Sequence, residues 1–424
     1  MNEYNCDLHF HGLYSGGVSK NMHPPIIAEQ AGLKGLHVVS TSDALHGKWF
    51  KELETELVEE ENGVLKHKKF DTYFITGVEV EDANRIHQLI FLPDLSTALN
   101  LKESLKGTAN FECFGCGRPR IKLSAEQLAE KVFDAGGIIG PAHAFTPYFS
   151  VYAHFDSVKK AFGEMAGKIS FIELGLSADS YFADLIEENH NYGFLTASDS
   201  HSPWPFRIGR EFMRIKMKKP SFGELKKALE QKEEKLITLN VGLDPREGKY
   251  HATACNGCFE KFSMEQAVQL KWRCPKCRGQ IKRGVRDRIS ELASFTKETH
   301  PPFRPPYLHL LPLAEIIQSA LGIKNVQAQR VQSAWRDFVS RFKTEIAVQV
   351  DAPENELLEV NESIGKKIIA FRKGWTLYIP GGGGDYGKPI VCDSEEEFQR
   401  KKKEMKDELD GKGSFAGQKT LKEF

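Results

Sequence analysis

In DLHFHG, His9 and His11 flank Phe10 at the end of a predicted strand. Side chains two apart on a strand leave the same face, so two imidazoles converge on one site. Asp199 and His201 in SDSH repeat the spacing, and between the doublets Asp43, Glu79, His87 and His143 fall at further predicted strand ends. Histidine mixed with carboxylate is the ligand set of zinc, manganese or iron, and a shared carboxylate bridges ions about 3.5–4 Å apart. A single H-x-H carries little weight, because scattered core or surface histidines produce it. Two polar doublets with four more candidate ligands between them make an array with room for at least two ions. Ions so held lower the pKa of water and neutralise charge on phosphoryl oxygens, which is the chemistry of phosphoester hydrolysis without a protein nucleophile. No Ser, His, Asp order or reactive cysteine motif competes with it.

The elements that must position these groups are legible from residue 5 to about 240. CDLHFHG, LHVVSTSD, TYFITGVEVE, HQLIFLP, GGIIGPAHA, ISFIELG and FLTASDSH predict strands; AEQLAEKVFDAG and FADLIEENHNYG predict helices ending at glycine. Alternating β and α units of this length predict a parallel sheet or barrel, whose chemistry sits at the C-terminal ends of the strands.

The order H-x-H, strand-end Asp, G-x-E followed by His, a lone His after a glycine-rich strand, then D-x-H resembles the polymerase and histidinol phosphatase (PHP) superfamily. It stands here as DLHFHG, STSDALH, GVEVEDANRIH, GPAHA and ASDSH. The resemblance implies an α/β fold, a distorted (β/α)7 PHP-type barrel, with two or three divalent metals (Zn, Mg or Mn). It also implies that His9, His11, Glu79 and Asp199 hold one ion, that Glu79, His87 and His143 hold the second, and that His201 serves a third. His9, His11, Glu79, His143, Asp199 and His201 are then the catalytic set. The chain departs from the pattern at Ala44, where many members have histidine, and at Gly16 and Gly17, near the end of the first motif, where an acidic or histidine ligand is usual. Two roles stay open for His201: a weaker site completed by Asp43 or His46, or contact with the scissile phosphate.

At 424 residues the chain is long enough for more than one domain. The reading divides it into a catalytic barrel over 1–244, a four-cysteine module over 245–290, a helical DNA-binding region over 291–400 and a tail over 401–424. No apolar run approaches the ~20 residues that span a bilayer, and MNEYNCDLHFHG lacks the pattern of a secretory signal, so a cytoplasmic, nucleoid-associated protein without membrane contact is expected. With 58 basic and 58 acidic side chains, attraction to a polyanion must come from local patches. Cys255-x-x-Cys258 and Cys274-x-x-Cys277 have the spacing of a closed, structural tetrahedral zinc site. Lys276, Arg278 and their basic neighbours suit phosphate contacts, with a merely solvated basic face as the competing reading. Cys113-x-x-Cys116 fits half a metal site, a redox pair or a loop of reduced thiols, while Cys6 and Cys392 read as buried thiols. The C-terminal region also holds a glycine-rich loop, GGGGDYG, read as loosely organised.

Gln418, Leu421 and Phe424 fit Q-x-x-L-x-x-F and look like a peptide that docks on a sliding clamp. A barrel phosphoesterase, a basic four-cysteine module, helices and such a tail, in this order, resemble the endonuclease Q family over nearly the whole chain. That resemblance implies cleavage of damaged DNA, single- or double-stranded, on the 5′ side of deaminated bases (hypoxanthine, uracil, xanthine) and at abasic sites, with the nucleotide flipped out. Aromatic faces and a cation then belong beside the metals: Phe145, Tyr148, Phe149 and Tyr152 follow His143, and Trp204, Phe206 and Arg207 follow His201. Core packing is the plainer reading for any one of them. Tyr148, Trp204, Arg207, Lys276 and Arg278 are the DNA-binding candidates. A small-molecule phosphoesterase of the histidinol phosphatase type would use the same ions but has no evident use for the appended parts. A scaffold with a degenerate barrel would have lost its ligands.

Overall fold

A computed structural model describes residues 1–411, with side chains through residue 406. The clamp-like residues Gln418, Leu421 and Phe424 lie outside the described residues. The chain divides into two compact units, each drawn from separate stretches. The first takes Met1–Pro245, Arg288–Pro312 and Phe342–Ala347; the second takes Arg246–Asp287, Leu313–Arg341 and the residues from Val348 onward.

In the first unit, seven strands close a ring through backbone hydrogen bonds. Asn2–Asp7 pairs in parallel with Val38–Ser40, which pairs in parallel with Tyr73–Ile75. That strand runs on into Gly77–Glu81, which pairs antiparallel with His87–Phe91, and this in turn with Ile138–Pro141. The Ala144 amide then donates to the Glu173 carbonyl (2.8 Å), leading to Phe171–Glu173, which pairs in parallel with Gly193–Leu195. A parallel bridge between Phe10 and Ser200 returns the ring to its start, with the His11 amide donating to the Ser200 carbonyl at 2.9 Å. The reversed strand His87–Phe91 is what distorts this (β/α)7 barrel. Its interior is filled by Cys6, Leu8, Val38, Phe91, Ile138, Phe171 and Leu195, all buried, so the barrel is packed and not a pore.

Helix Ala125–Asp134 forms as its sequence predicts, with Ser124 and Gln127 making a reciprocal capping box. FADLIEENHNYG does not form one helix: it breaks into Ser180–Ala183 and a 3-10 turn over Glu187–Asn191. Tertiary contacts override its propensity there. The Asp184 carboxylate is fully buried and accepts from Arg304 Nη2 (2.7 Å), while Asn189 Nδ2 donates to the Ala183 carbonyl. Lys34 is also pulled inside, where its ammonium pairs with Glu345 (2.6 Å) and donates to the Pro205 carbonyl.

The second unit contains the helices Leu313–Leu321, Gln329–Phe342, Glu354–Val360 and Glu362–Arg372, the hairpin Thr376–Ile379/Lys388–Val391 and the helix Glu395–Gly411. The glycine-rich loop, which the sequence suggests is loose, is pinned. Gly381 N donates to Arg246 O (2.8 Å), Gly384 N to Lys249 O (2.9 Å), and Gly381 O accepts from Ala252 N (3.0 Å). Close backbone approach explains the glycines: a Cβ on Gly381 would overlap the Gly248 and Asp385 carbonyls.

Candidate metal centre

The polar strand ends meet at one end of the barrel. Glu79, almost fully buried, stands between two groups. Its Oε1 lies 2.9 Å from His87 Nδ1 and 3.1 Å from His143 Nε2; its Oε2 lies 3.2 Å from His11 Nε2. Asp199 Oδ1 lies 3.3 Å from His11 Nε2 and 3.6 Å from His9 Nε2. Ligand atoms of His9, His11 and Asp199 all fall within 4.8 Å of one another, as do those of Glu79, His87 and His143. Left-handed backbone at Asp43, His143 and Asp199 aims these side chains inward, conformations that cost about 1 kcal/mol or more each and collect at functional sites. The fit to cations is electrostatic as well as geometric. His9 Nε2, His11 Nε2 and Asp199 Oδ1, which face one another, are buried without a hydrogen-bond partner, a cost that an ion among them would relieve.

Asp43 takes a different place from the two groups. Its Oδ2 accepts from the Gly12 amide (2.8 Å) and from Ser15 Oγ (2.9 Å), and its Oδ1 stands 3.6 Å from His11 Nδ1. It therefore steers His11 and closes the first motif loop. His46 caps the helix Gly47–Glu56 and meets the Cys113 carbonyl (3.2 Å). His201 is partly exposed, with its ring 4.6 Å from that of His11 and its Nδ1 4.0 Å from Asp199 Oδ1.

Several groups that sequence reading passed over complete the centre. Glu173, fully buried, takes His9 Nδ1 at 2.9 Å and the His143 amide at 2.7 Å. Asp7 accepts from the amides of Ser198 (3.0 Å) and Gly209 (2.7 Å), tying the first strand to the D-x-H turn. Arg118 Nη1 reaches Glu79 Oε2 at 3.1 Å. Burial opposes charge on His9, but Glu173, Glu79 and Asp199 outweigh it and hold its pKa well above the ordinary histidine value. Glu79 is held well below the carboxylate range against its own burial by His87, His9 and Arg118. The signal for Glu173 was a lone acid in the apolar run ISFIELG.

Among the aromatics, Phe145 and Tyr152 are buried and stack on each other (5.0 Å), so they are core. Phe149 stacks on His87 (4.8 Å) under the Arg85 guanidinium. Tyr148 and Trp204 are partly exposed and Arg207 is exposed. Cys113 and Cys116 are joined as a disulfide, while Cys6 and Cys392 are buried free thiols.

In the second unit, the strands Ala254–Cys255 and Ile281–Lys282 and the helix Met264–Gln269 bring the four thiols together. Cys255 Sγ lies 3.4 Å from Cys277 Sγ, and Cys258 Sγ lies 3.6 Å from Cys274 Sγ. Burial pushes the Cys255 thiol up, but the Gly257 and Cys258 amides bring it down to about 7. Lys276 and Arg278 are exposed beside it.

The crystal structure of the lesion-specific endonuclease PfuEndoQ from Pyrococcus furiosus is 44% identical to this chain and superposes with a TM-score of 0.87, covering 94% of this chain and 97% of that one. The chain belongs to the endonuclease Q family. A second endonuclease Q structure, in complex with a 27-mer duplex substrate with an abasic lesion at the active site, is 43% identical with the same TM-score, covering 94% of this chain and 98% of that one. An uncharacterized protein of Bacillus subtilis, YqxK, is 31% identical over 86% of this chain and 91% of its own length. The uncharacterized protein MJ0043 of Methanocaldococcus jannaschii is 44% identical over 59% of this chain, and that match spans 32% of MJ0043. The family described as the MJ0043 C-terminal domain matches residues 312–375. No helix among the described residues is long and apolar enough to cross a membrane.

Proposed function

We propose that this chain is a metal-dependent endodeoxyribonuclease of DNA repair. It hydrolyses the phosphodiester bond 5′ to hypoxanthine, uracil or xanthine and at abasic sites. The observation that carries the reading is Glu79, set between two ligand groups at the mouth of a barrel, in a chain alike to endonuclease Q nearly end to end. His9, His11 and Asp199 would hold one divalent ion, with Glu79 shared, and Glu79, His87 and His143 a second; His201 with Asp43 would serve a third. Zinc, magnesium and manganese all suit nitrogen and carboxylate ligands to differing degrees. When bound, such ions activate water and offset the charge that develops on the phosphoryl group. Glu173 and Asp43 orient the imidazoles, and Arg118 adds fixed positive charge beside Glu79.

Tyr148 and Trp204, both partly exposed, would stack on a nucleotide turned out of the helix, with Arg207 gripping the backbone; unstacking costs a few kcal/mol and least at damaged bases. Lys276 and Arg278, beside a structural zinc ion on Cys255, Cys258, Cys274 and Cys277, take phosphates, and the helices within 291–400 complete the DNA-binding region. The peptide with Gln418, Leu421 and Phe424 recruits a sliding clamp, and the protein works in the cytoplasm at the nucleoid.

The test is nicking of end-labelled duplexes bearing one deoxyinosine, deoxyuridine, abasic site or normal base, with each metal in turn and with Asp199→Ala as control. A nick 5′ of the lesion that falls at least about 1,000-fold in the variant is expected. Intact duplexes alongside hydrolysis of small phosphoesters sensitive to Asp199→Ala would overturn the reading.

A further inference from the structure

The loop Cys113–Arg120 is the part of the first unit that the ligand motifs leave unexplained. It is held at both ends. Gly115 N and Gly117 N donate to the Tyr14 carbonyl (2.9 and 3.1 Å), Ser15 bridges to Gly115 and Cys116, and the Cys113 carbonyl meets His46. Gly117 lies so close that a Cβ there would overlap Ser15 Oγ and the Asp43 carboxylate. On the far side, Glu81 N donates to the Pro119 carbonyl (2.9 Å), Ile121 N donates to the Glu81 carbonyl (2.7 Å), and the Arg120 guanidinium pairs with the Glu81 carboxylate (3.2 Å). Arg118 sits between these anchors, with about a third of its side chain exposed and its guanidinium on Glu79 Oε2.

We propose that Arg118 is a catalytic residue that grips a non-bridging oxygen of the scissile phosphate. Glu79 stands between the two ligand groups, with Oε1 toward His87 and His143 and Oε2 toward His11, so a cation held beside His11 competes with Arg118 for Oε2. The guanidinium, carried on a backbone fixed at both ends, stays at the mouth of the site with donors to spare. A guanidinium offers a planar fork of donors that matches two phosphate oxygens, and a preset cation costs no reorganisation as charge builds in the transition state. An arginine serving only to brace Glu79 would have no reason to keep a third of its surface open beside the centre.

The inference rests on the phosphodiesterase reading, and the test separates the two. Full-length protein loaded with manganese or zinc is compared with Arg118→Ala and Arg118→Lys by metal content, thermal melting, calorimetric binding of inorganic phosphate and cleavage of an abasic duplex. Arg118→Ala is expected to keep its metal content and melting temperature. It binds phosphate at least about tenfold more weakly, and its kcat falls about 100-fold with little change in KM. Arg118→Lys, which keeps the charge and loses the fork, falls between. Loss of metal in step with loss of activity would make Arg118 a brace for Glu79 and overturn the proposal, as would phosphate affinity and kcat within threefold of the parent. A parent protein that leaves every duplex intact refutes the nuclease reading, while the phosphate arm still decides the role of Arg118.

Discussion

In the barrel, His9, His11, Glu79, His87, His143 and Asp199 come from strand ends scattered over most of the first unit, and Glu173, Asp43 and Arg118 stand against His9, His11 and Glu79. In the second unit, four cysteines lie between Cys255 and Cys277: Cys255 ends a two-residue strand and the other three stand in turns and loops, with Ala267, Ile281 and two of the cysteines themselves as the buried centre. The candidate ligands of the barrel sit over a large apolar core, and Asp199 and His201 among them are partly exposed. The module's buried cluster is small, Ala267 and Ile281 beside Cys255 and Cys274, with Phe262, Leu270 and Trp272 packed against it. A centre that must meet a substrate is built on a frame that stands before the ion arrives, whereas a centre that only holds the chain together is the frame.

The sharpest way to break this comparison is to remove one ligand from the module. Zinc held by such thiol sets supplies apparent free energies of about 10–16 kcal/mol in isolated peptides. Cys274→Ser is expected to lose one metal equivalent and to unfold residues around 252–283. Amide hydrogen exchange would rise to the unprotected rate there while protection across Asn2–Asp7 and Phe212–Met217 stays unchanged. Equal loss in both places would mean that the barrel depends on the module for its fold.

The converse change weakens the barrel frame and leaves its ligands alone. Lys34 and Glu345 form a pair almost wholly removed from water. Lys34→Ala takes the cation from a buried carboxylate, and breaking a buried pair in this way costs about 3–5 kcal/mol, whereas replacing both partners by apolar residues of similar size is close to neutral. The barrel transition in urea should move to lower concentration for Lys34→Ala and recover in Lys34→Met/Glu345→Leu, with metal content at the active centre unaltered in the native range. A metal content that tracks the urea midpoint would show the frame and the ions to be one cooperative unit.

How far the centre was legible in sequence depends on distance along the chain. The doublets at His9/His11 and Asp199/His201 stand out because extended backbone repeats every two residues, and Glu79, His87 and His143 because each stands at the edge of an apolar run. Alternation of those runs predicts a parallel sheet or barrel, and the resemblance to the PHP superfamily selects the barrel. Glu173 escaped because its partner His9 is 164 residues away and a single acid within a strand looks the same whether it braces a ligand or faces solvent. Arg118 escaped because loop backbone, not periodicity, aims it. Asp43 was read as a ligand from its strand-end position, while its hydrogen bonds to Gly12 and Ser15 are local turn chemistry that spacing does not reveal. The pinned loop at Gly381–Gly384 was hidden for the same reason as Glu173: its partners at Arg246–Ala252 are remote.

Glu173 offers the finest measure of how much the barrel centre owes to groups around the ligands. Its two oxygens serve two donors, His9 Nδ1 and the His143 amide, and thereby fix the tautomer that turns His9 Nε2 toward Asp199 and Glu79. Glu173 Oε2 alone lies 2.9 Å from His9 Nδ1 and 2.7 Å from the His143 amide, so the oxygen of Glu173→Gln can still accept from both donors, but its NH2 then abuts His9 Nδ1 and the negative charge that makes His9 a stronger base is gone. Losses of about 10–100-fold in metal affinity, or about 1.4–2.7 kcal/mol, are the usual cost of such a change. Competition against a chromogenic chelator reads this directly, without reference to turnover. Affinity unchanged within twofold would show that packing alone holds His9, and the contrast between a braced centre and a self-supporting one would then rest on the backbone and not on the surrounding carboxylates.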